Sequence, residues 1–575
     1  MKVSAYWRWI LTQPPKSTSK TEIIDEPDGS AKRRRYSAAL LMALACLLFF
    51  FGSGSIALVG PDEPRYAEVA REMYVSGDYV ATTLCQCVWF EKPALFYWLA
   101  ALSYRLFGVN EFAARFPSGA MALLSMLAIY FAIWRCGFAR WASIVSLVLT
   151  TSGIFIAYSH AATPDMALAA TITIAIIAGY LATRAEGKAE VGWMMLCFAA
   201  IGLGVLAKGL VAIVLVSAVL FIWLTIAGRL RFLRWRYAFI WLLAFAAVAA
   251  LWYLPVTLRY GYTFIDEFFV KHHFQRYLTN VYGHPQPVYF YLVIAVLGVL
   301  PWSFFLLPAA ARLRRLKPRL NERDALLTLA WVWALVPLCF FSLSGSKLPG
   351  YLLPIFPALA ILLGAEIERW LDGAGERIVQ VSGWLTALLL VTVGIGFIIY
   401  LQSQNVAFAN WHIVFYLLPS AFAVLAIAAI FQKRTKPFLY AATAVILSIA
   451  IGGVTLLFPK MNEQISLKRL SLDAAAALRP DEKIGYYILK EFAAVFYAEG
   501  RVACGMDEGD VLNALREDKL VAPLQTYPSM IFITRHRWLD GLMNDGRFTI
   551  EFISQQGDYY AFRVKLKSSK LELRN

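Results

Sequence analysis

"GPDEPRYAEVAREM", from Gly60 to Met73, follows an unbroken apolar stretch running from Ser37 to Val59 and brings six charged residues almost at once. An apolar run of roughly 20 residues is what crossing a bilayer's hydrocarbon core requires. Asp62, Glu63 and Arg65 therefore stand within a few residues of a membrane surface. The spacing of Ala67, Val69, Ala70 and Met73, with charges between them, predicts a helix lying on that surface. "ALFYWLAALSYRLFG" (Ala94–Gly108) is apolar but has only 15 residues and is rich in Tyr and Trp. That suits a second interface helix better than a span.

Working outward, the whole chain reads as a membrane protein. Its 575 residues are 59% hydrophobic and only 16% charged, against about 25% charged in soluble domains. The net charge of +16 raises nucleic-acid binding, but the positions of the charges exclude it. "AKRRR" (Ala31–Arg35), "RLRFLRWR" (Arg229–Arg236), "RLRRLKPRLNER" (Arg312–Arg323) and "QKRTK" (Gln432–Lys436) flank or separate apolar runs. Lys and Arg gathered in alternate short loops is the positive-inside pattern.

Thirteen candidate spans follow: 37–58, 117–134, 141–157, 166–183, 191–207, 210–227, 237–256, 288–308, 325–343, 351–368, 379–401, 413–431 and 437–458. With "AKRRR" inside, the cytoplasmic loops are those near Arg135–Arg140, Thr183–Glu190, Gly228–Arg236, Arg312–Arg323, Glu366–Arg377 and Gln432–Lys436. Each holds Lys or Arg, so parity and charge agree. Residues 1–36 read as a cytoplasmic tail and 37–458 as the membrane domain, with 60–116 as an outer segment carrying the two interface helices. Residues 459–575 read as a small outer α/β or α+β domain, with "KIGYYI", "MIFIT", "FTIEFI" and "YYAFRVKL" as strands and "GDVLNALRED" as helix. Cys85, Cys87 and Cys504 lie in outer segments, where either free thiols or a disulfide fit.

The outer segments collect acids, cations and phenols: Asp62, Glu63 and Arg65; "FEKP" (Phe90–Pro93) with Tyr97 just beyond; Asp165; Lys208; "KHHFQRY" (Lys271–Tyr277); Lys347 and Tyr351. Cations hold phosphates by charge-assisted hydrogen bonds, and carboxylates act as bases, orient an acceptor or bind metal. A site at the interface suits a lipid-linked substrate. Taken singly, each residue has a structural reading. Asp62, Glu63 and Asp165 can cap helices, Lys92 and Lys208 can snorkel, and His272 and His273 can be loop surface. Their convergence on one face points to chemistry.

"DEPRYAEVAREMYVSGDYV", "FEKPALFYWLAALSYRLFG", "AARFPSG", "TPDMAL", "AKG" and "SGSKLPGYLLPIFPALA" resemble the ArnT family, aminoarabinose transferases of the GT-C superfamily that also includes protein O-mannosyltransferases. The resemblance covers residues 37–460. It implies a mainly α, polytopic GT-C fold with about thirteen transmembrane helices, two juxtamembrane helices and a small periplasmic C-terminal domain. It implies transfer of 4-amino-4-deoxy-L-arabinose from undecaprenyl phosphate to a lipid A phosphate, with inversion, at the periplasmic face of a bacterial inner membrane. By motif, Asp62 and Asp165 resemble the family's catalytic carboxylates. Lys92 resembles the lysine that meets the donor phosphate, with Arg276 and Tyr351 as companions. Glu63, Arg65, Tyr97, Lys208 and Lys347 join them as substrate-binding candidates. Glu91 with His273 or His272 would hold a divalent metal, Zn or Mg, or order its loop. The rival readings are transfer of mannose or another sugar to a protein or glycan, and a transporter of lipid-linked sugars. A transporter places its charged site near the bilayer midplane, whereas these charges gather at one surface.

Overall fold

The computed structural model describes residues 28–232, 237–268, 286–374, 376–403, 413–431, 435–487, 489, 492–503 and 520–567. The chain forms two compact units. One comprises Met1–Phe51, Ser118–His160 and Pro164–Gly452, and the other Gly52–Pro117, Ala161–Thr163 and Gly453–Asn575.

The first unit is a bundle of apolar helices. Across the described residues, eight helices are long and apolar enough to cross a membrane, and ten if each of two bent pairs counts as one span. Three further predicted spans fall on shorter apolar helices, Ser37–Phe50, Val211–Ile226 and Leu418–Ala429. The predicted spans 141–157 and 288–308 are not straight. Ala139–Thr150 and Gly153–Ser159 meet at 64°. The cause is local: Thr151 and Ser152 turn their hydroxyls back onto the carbonyls of Leu147 and Val148, at 2.6 and 2.7 Å, and so compete with the helical ladder. Phe290–Gly298 and Trp302–Arg315 meet at 110°. Pro301 stands at that break and has no N–H to continue the first helix.

Five of the six loops predicted to be cytoplasmic are tied together by ion pairs. Arg184 and Arg229 both reach Glu322, Arg312 reaches Glu366, Arg323 reaches Glu368, and Arg140 reaches Asp372. These loops therefore share one end of the bundle, as charge parity requires. The sixth loop lies largely outside the described residues.

The second unit contains the two predicted interface helices, Asp62–Ser76 and Leu95–Phe107. The first buries Ala67, Val69, Ala70 and Met73 and ends on Gly77, whose φ of +70° is the left-handed cap that glycine adopts without strain. Between them lies a short hairpin, β1 (Thr83–Leu84) and β2 (Cys87–Val88). The C-terminal part holds β3 (Ile484–Tyr486), β4 (Met530–Arg535), β5 (Phe548–Gln556) and β6 (Tyr559–Leu566), in sheet order β3-β4-β6-β5. β3 and β4 are parallel, and the other pairs are antiparallel. β4 reads as a continuous apolar run because both its faces are covered. Ile531 and Ile533 enter one core with Tyr66, Ala70, Tyr97 and Tyr104 of the interface helices, while Met530 and Phe532 enter a second core with Phe548, Phe562 and Val564. The segment Gly52–Pro117 thus completes its core with residues of the C-terminal part. The predicted helix "GDVLNALRED" and Cys504 lie outside the described residues.

Candidate active site

Each unit carries its own cluster of the predicted residues. In the second unit, the helix Asp62–Ser76 presents Asp62 and Arg65 on successive turns of one face, three residues apart. Arg65 donates to Asp62 at 2.5 Å and to the carbonyl of Pro61 at 2.8 Å. Its guanidinium also lies over the rings of Phe492 and Trp89, at 4.9 and 5.7 Å. Glu91 accepts from Lys92 at 2.8 Å and stands 3.9 Å from Arg65. Burial works against the charge of Arg65, but the carboxylates of Glu91 and Asp62 outweigh it and hold the guanidinium above its ordinary pKa. Glu91 and Lys92 are buried, whereas Asp62 keeps 43% of its side-chain surface exposed and is the acid that meets solvent. Tyr97 stands beside them, buried, with a hydroxyl that has no hydrogen-bond partner among the described residues. Burial, followed by the charge of Glu91, pushes the Tyr97 phenol well above its usual range, so it stays a neutral donor.

Glu63 follows Asp62 in sequence but faces the other way. Arg115 donates to both its oxygens, at 2.9 and 2.7 Å. The N–H groups of Ala162 and Val59 fill the remaining places, at 2.8 and 3.1 Å. Arg115 spends its other donors on the carbonyls of Ser53, Ile56 and Ala57. Glu63 is thus fully occupied in closing the loop ahead of the helix. Neither Asp62 nor Glu63 caps that helix, whose first position follows Pro61 with no side-chain cap. Arg115 was legible only as an odd cation at the head of an apolar span, inside "AARFPSG". Its partner lies 52 positions away, beyond any local pattern.

In the first unit, Asp165 opens the helix Asp165–Ala182 behind Pro164, again with no side-chain cap. Its carboxylate pairs with Lys208, the last residue of Lys188–Lys208. Lys208 lies over the ring of Tyr351, 4.2 Å from its centroid. Gly350 makes this possible: a Cβ there would fall 2.9 Å from the Asp165 carboxyl carbon and 2.8 Å from the Tyr158 ring. Lys347 is buried and donates to the carbonyl of Ser344 at 2.6 Å.

Arg276, His272 and His273 lie outside the described residues. No group of three His, Cys, Asp or Glu side chains among the described residues could hold a metal ion. Glu91, the described member of the predicted metal set, already faces two cations.

The chain resembles known proteins in sequence and in fold. Residues 91–254 match the family profile of dolichyl-phosphate-mannose-protein mannosyltransferases. An undecaprenyl phosphate-α-4-amino-4-deoxy-L-arabinose arabinosyl transferase of Yersinia enterocolitica is 31% identical over 408 residues, 66% of this chain and 71% of that protein. The chain belongs to the ArnT family. The Aeromonas hydrophila protein of the same name is 33% identical, over 62% of this chain and 64% of its own length. The chain thus spans a little under two thirds of that relative. The crystal structure of ArnT from Cupriavidus metallidurans bound to undecaprenyl phosphate superposes with a TM-score of 0.74 at 25% identity, over 92% of this chain and 98% of that one. The architecture is that of a polytopic GT-C membrane protein.

Proposed function

We propose that this chain transfers 4-amino-4-deoxy-L-arabinose from undecaprenyl phosphate to a phosphate of lipid A, at the periplasmic face of a bacterial inner membrane. The observation that carries the reading is the likeness to an ArnT structure bound to undecaprenyl phosphate, which runs over 98% of that chain. An acceptor oxygen attacks the anomeric carbon, the bond from that carbon to the donor phosphate breaks, and polyprenyl phosphate leaves with the electron pair. The configuration inverts. A lipid A phosphate oxygen is already anionic, so no strong base is needed. The half-buried Asp62 then orients the acceptor or the cationic sugar amine rather than taking a proton. Following the motifs, Lys92, Arg276 and Tyr351 are each assigned, by resemblance, to the charge that grows on the leaving phosphate, the electrostatic contribution that commonly dominates such steps. Glu91 fixes Lys92 and Arg65, and Tyr97 supplies a neutral hydroxyl donor.

The match to protein mannosyltransferases over residues 91–254 supports a second reading, transfer of another sugar to a protein hydroxyl. Purified protein given undecaprenyl phosphate-aminoarabinose and lipid A, read by mass spectrometry, separates the two. The first reading expects an aminoarabinose adduct on lipid A that is lost in Asp62→Asn at unchanged folding. Transfer only from polyprenyl-phosphate mannose to peptide would replace it with the second.

A further inference from the structure

Two lysines are buried among the described residues, Lys92 and Lys347. Lys92 sits on the Glu91 carboxylate. Lys347 sits on none. It is 7% exposed, it donates to the carbonyl of Ser344, and no carboxylate among the described residues comes within ion-pair distance. An ammonium has three protons to place, and this one has a single acceptor among the described residues. The residue before it repeats the pattern. Ser346 is 1% exposed, and its hydroxyl has no hydrogen-bond partner among the described residues. The backbone that holds both is well ordered by its own bonds: Ser344 donates its hydroxyl to the carbonyl of Ser346, Tyr291 donates to the carbonyl of Leu348, and Gly350 is pressed against Asp165 and Tyr158. The nearby cation Lys208 already has its acid in Asp165.

A buried charge without a counter-charge is strongly unfavourable, as is a buried hydroxyl without a partner. Two such groups on successive residues of one braced turn, both donors, suit an anion. We propose that Lys347 and Ser346 form a phosphate subsite, which takes one phosphate group of a lipid-linked substrate. This rests on the proposed transferase reading for the identity of the lipid, because both the donor and the acceptor of that reaction bring a phosphate. It does not rest on it for the chemistry, because donors left unfilled among the described residues suit an anion whatever lipid carries it. Lysine suits the task as a point charge, and a phosphate oxygen accepts from the ammonium and the hydroxyl together.

The test uses full-length protein in detergent, with Lys347→Met, Lys347→Arg and Ser346→Ala alongside wild type. Binding is measured separately for undecaprenyl phosphate, undecaprenol, lipid A and dephosphorylated lipid A. Lys347→Met is expected to weaken one phosphorylated lipid on the order of 10- to 100-fold, the worth of one charge-assisted contact, and to leave its dephosphorylated form unchanged. Lys347→Arg keeps most of the binding, and Ser346→Ala loses less than Lys347→Met on the same lipid. Loss confined to undecaprenyl phosphate places the subsite on the donor, and loss confined to lipid A places it on the acceptor. Wild-type affinity for both phosphorylated lipids in a folded Lys347→Met protein overturns the proposal, as does equal loss for the dephosphorylated forms. Transfer is scored in parallel. A phosphate-dependent loss of binding, in a protein that moves no aminoarabinose, keeps the subsite and rejects the transferase reading instead.

Discussion

Glu63 and Lys347 are both buried charges from conspicuous motifs, "PDEPRY" and "SGSKLPGY", yet the protein treats them in opposite ways. Glu63 meets Arg115 and two backbone N–H groups, and Arg115 meets Glu63 and three carbonyls. Lys347 meets one carbonyl, and the hydroxyl of the serine before it has no hydrogen-bond partner among the described residues. Residue type does not separate them, and neither does burial. What separates them is saturation. A buried charge whose every hydrogen-bonding place is taken holds the chain together, and one with places left over is kept for something that arrives later.

The comparison breaks most readily at Arg115. Arg115→Met leaves the Glu63 carboxylate buried and unpaired, which should cost about 3–5 kcal/mol and be read as a large fall in the thermal midpoint of the purified protein. Arg115→Lys should recover only part, because an ammonium cannot reproduce a planar fork serving four oxygen-bearing groups. The double variant Glu63→Gln/Arg115→Met should lose less than the sum of the single changes, and strict additivity would deny the pair any coupling. Next in size is Gly350→Ala. The new methyl meets Asp165 and Tyr158 below van der Waals distance, so a loss of about 1–3 kcal/mol is expected, with turnover falling as Asp165 is displaced. An unaltered midpoint and rate would mean that the turn yields freely.

Glu68 is the intermediate case. Its carboxylate is gripped by Arg71 at 2.7 and 2.8 Å, yet burial still holds its pKa up, at about 7 against an ordinary 4.5. Between those values the folded chain binds more protons than the unfolded one, so stability should decline as pH rises from 4.5 to 7 and level off above. Thermal midpoints across that range should show the decline, and Glu68→Gln should flatten it. The smallest change in stability is expected at Lys347. Lys347→Met removes a buried ammonium that has no carboxylate partner among the described residues, so the midpoint should hold or rise even as phosphate binding falls. A midpoint that drops as far as in Arg115→Met would put Lys347 with Glu63 and erase the contrast.

The parts of this molecule written in short repeats were readable from the sequence. The first interface helix came from the spacing of Ala67, Ala70 and Met73, the second from a short apolar run rich in Tyr and Trp, and the strand at Met530 from the run "MIFIT". The loops of one bundle end came from their arginines, which the structure joins through Glu322, Glu366, Glu368 and Asp372. Individual site roles were less readable, because they depend on partners far along the chain. Asp62 and Glu63 are neighbours of like chemistry, and only the position of Arg115 tells one from the other. The bends at Thr151–Ser152 and Pro301 were hidden for another reason: hydropathy averages over a hydroxyl or a proline that the helical ladder cannot ignore.

The second unit's core has a consequence for how the protein is made. The amide of Leu58 binds the hydroxyl of Tyr497, 439 positions later, and the amide of Ala57 binds Asn462, 405 positions later. At about 5–20 residues per second of synthesis, the interface helices wait on the order of tens of seconds for the strands that cover them. During that time Tyr66, Ala70 and Tyr104 have no lid. The earliest-made segment of this unit is therefore the last to mature, and a chain stopped short of β4 would be met by chaperones and proteases before it met a substrate.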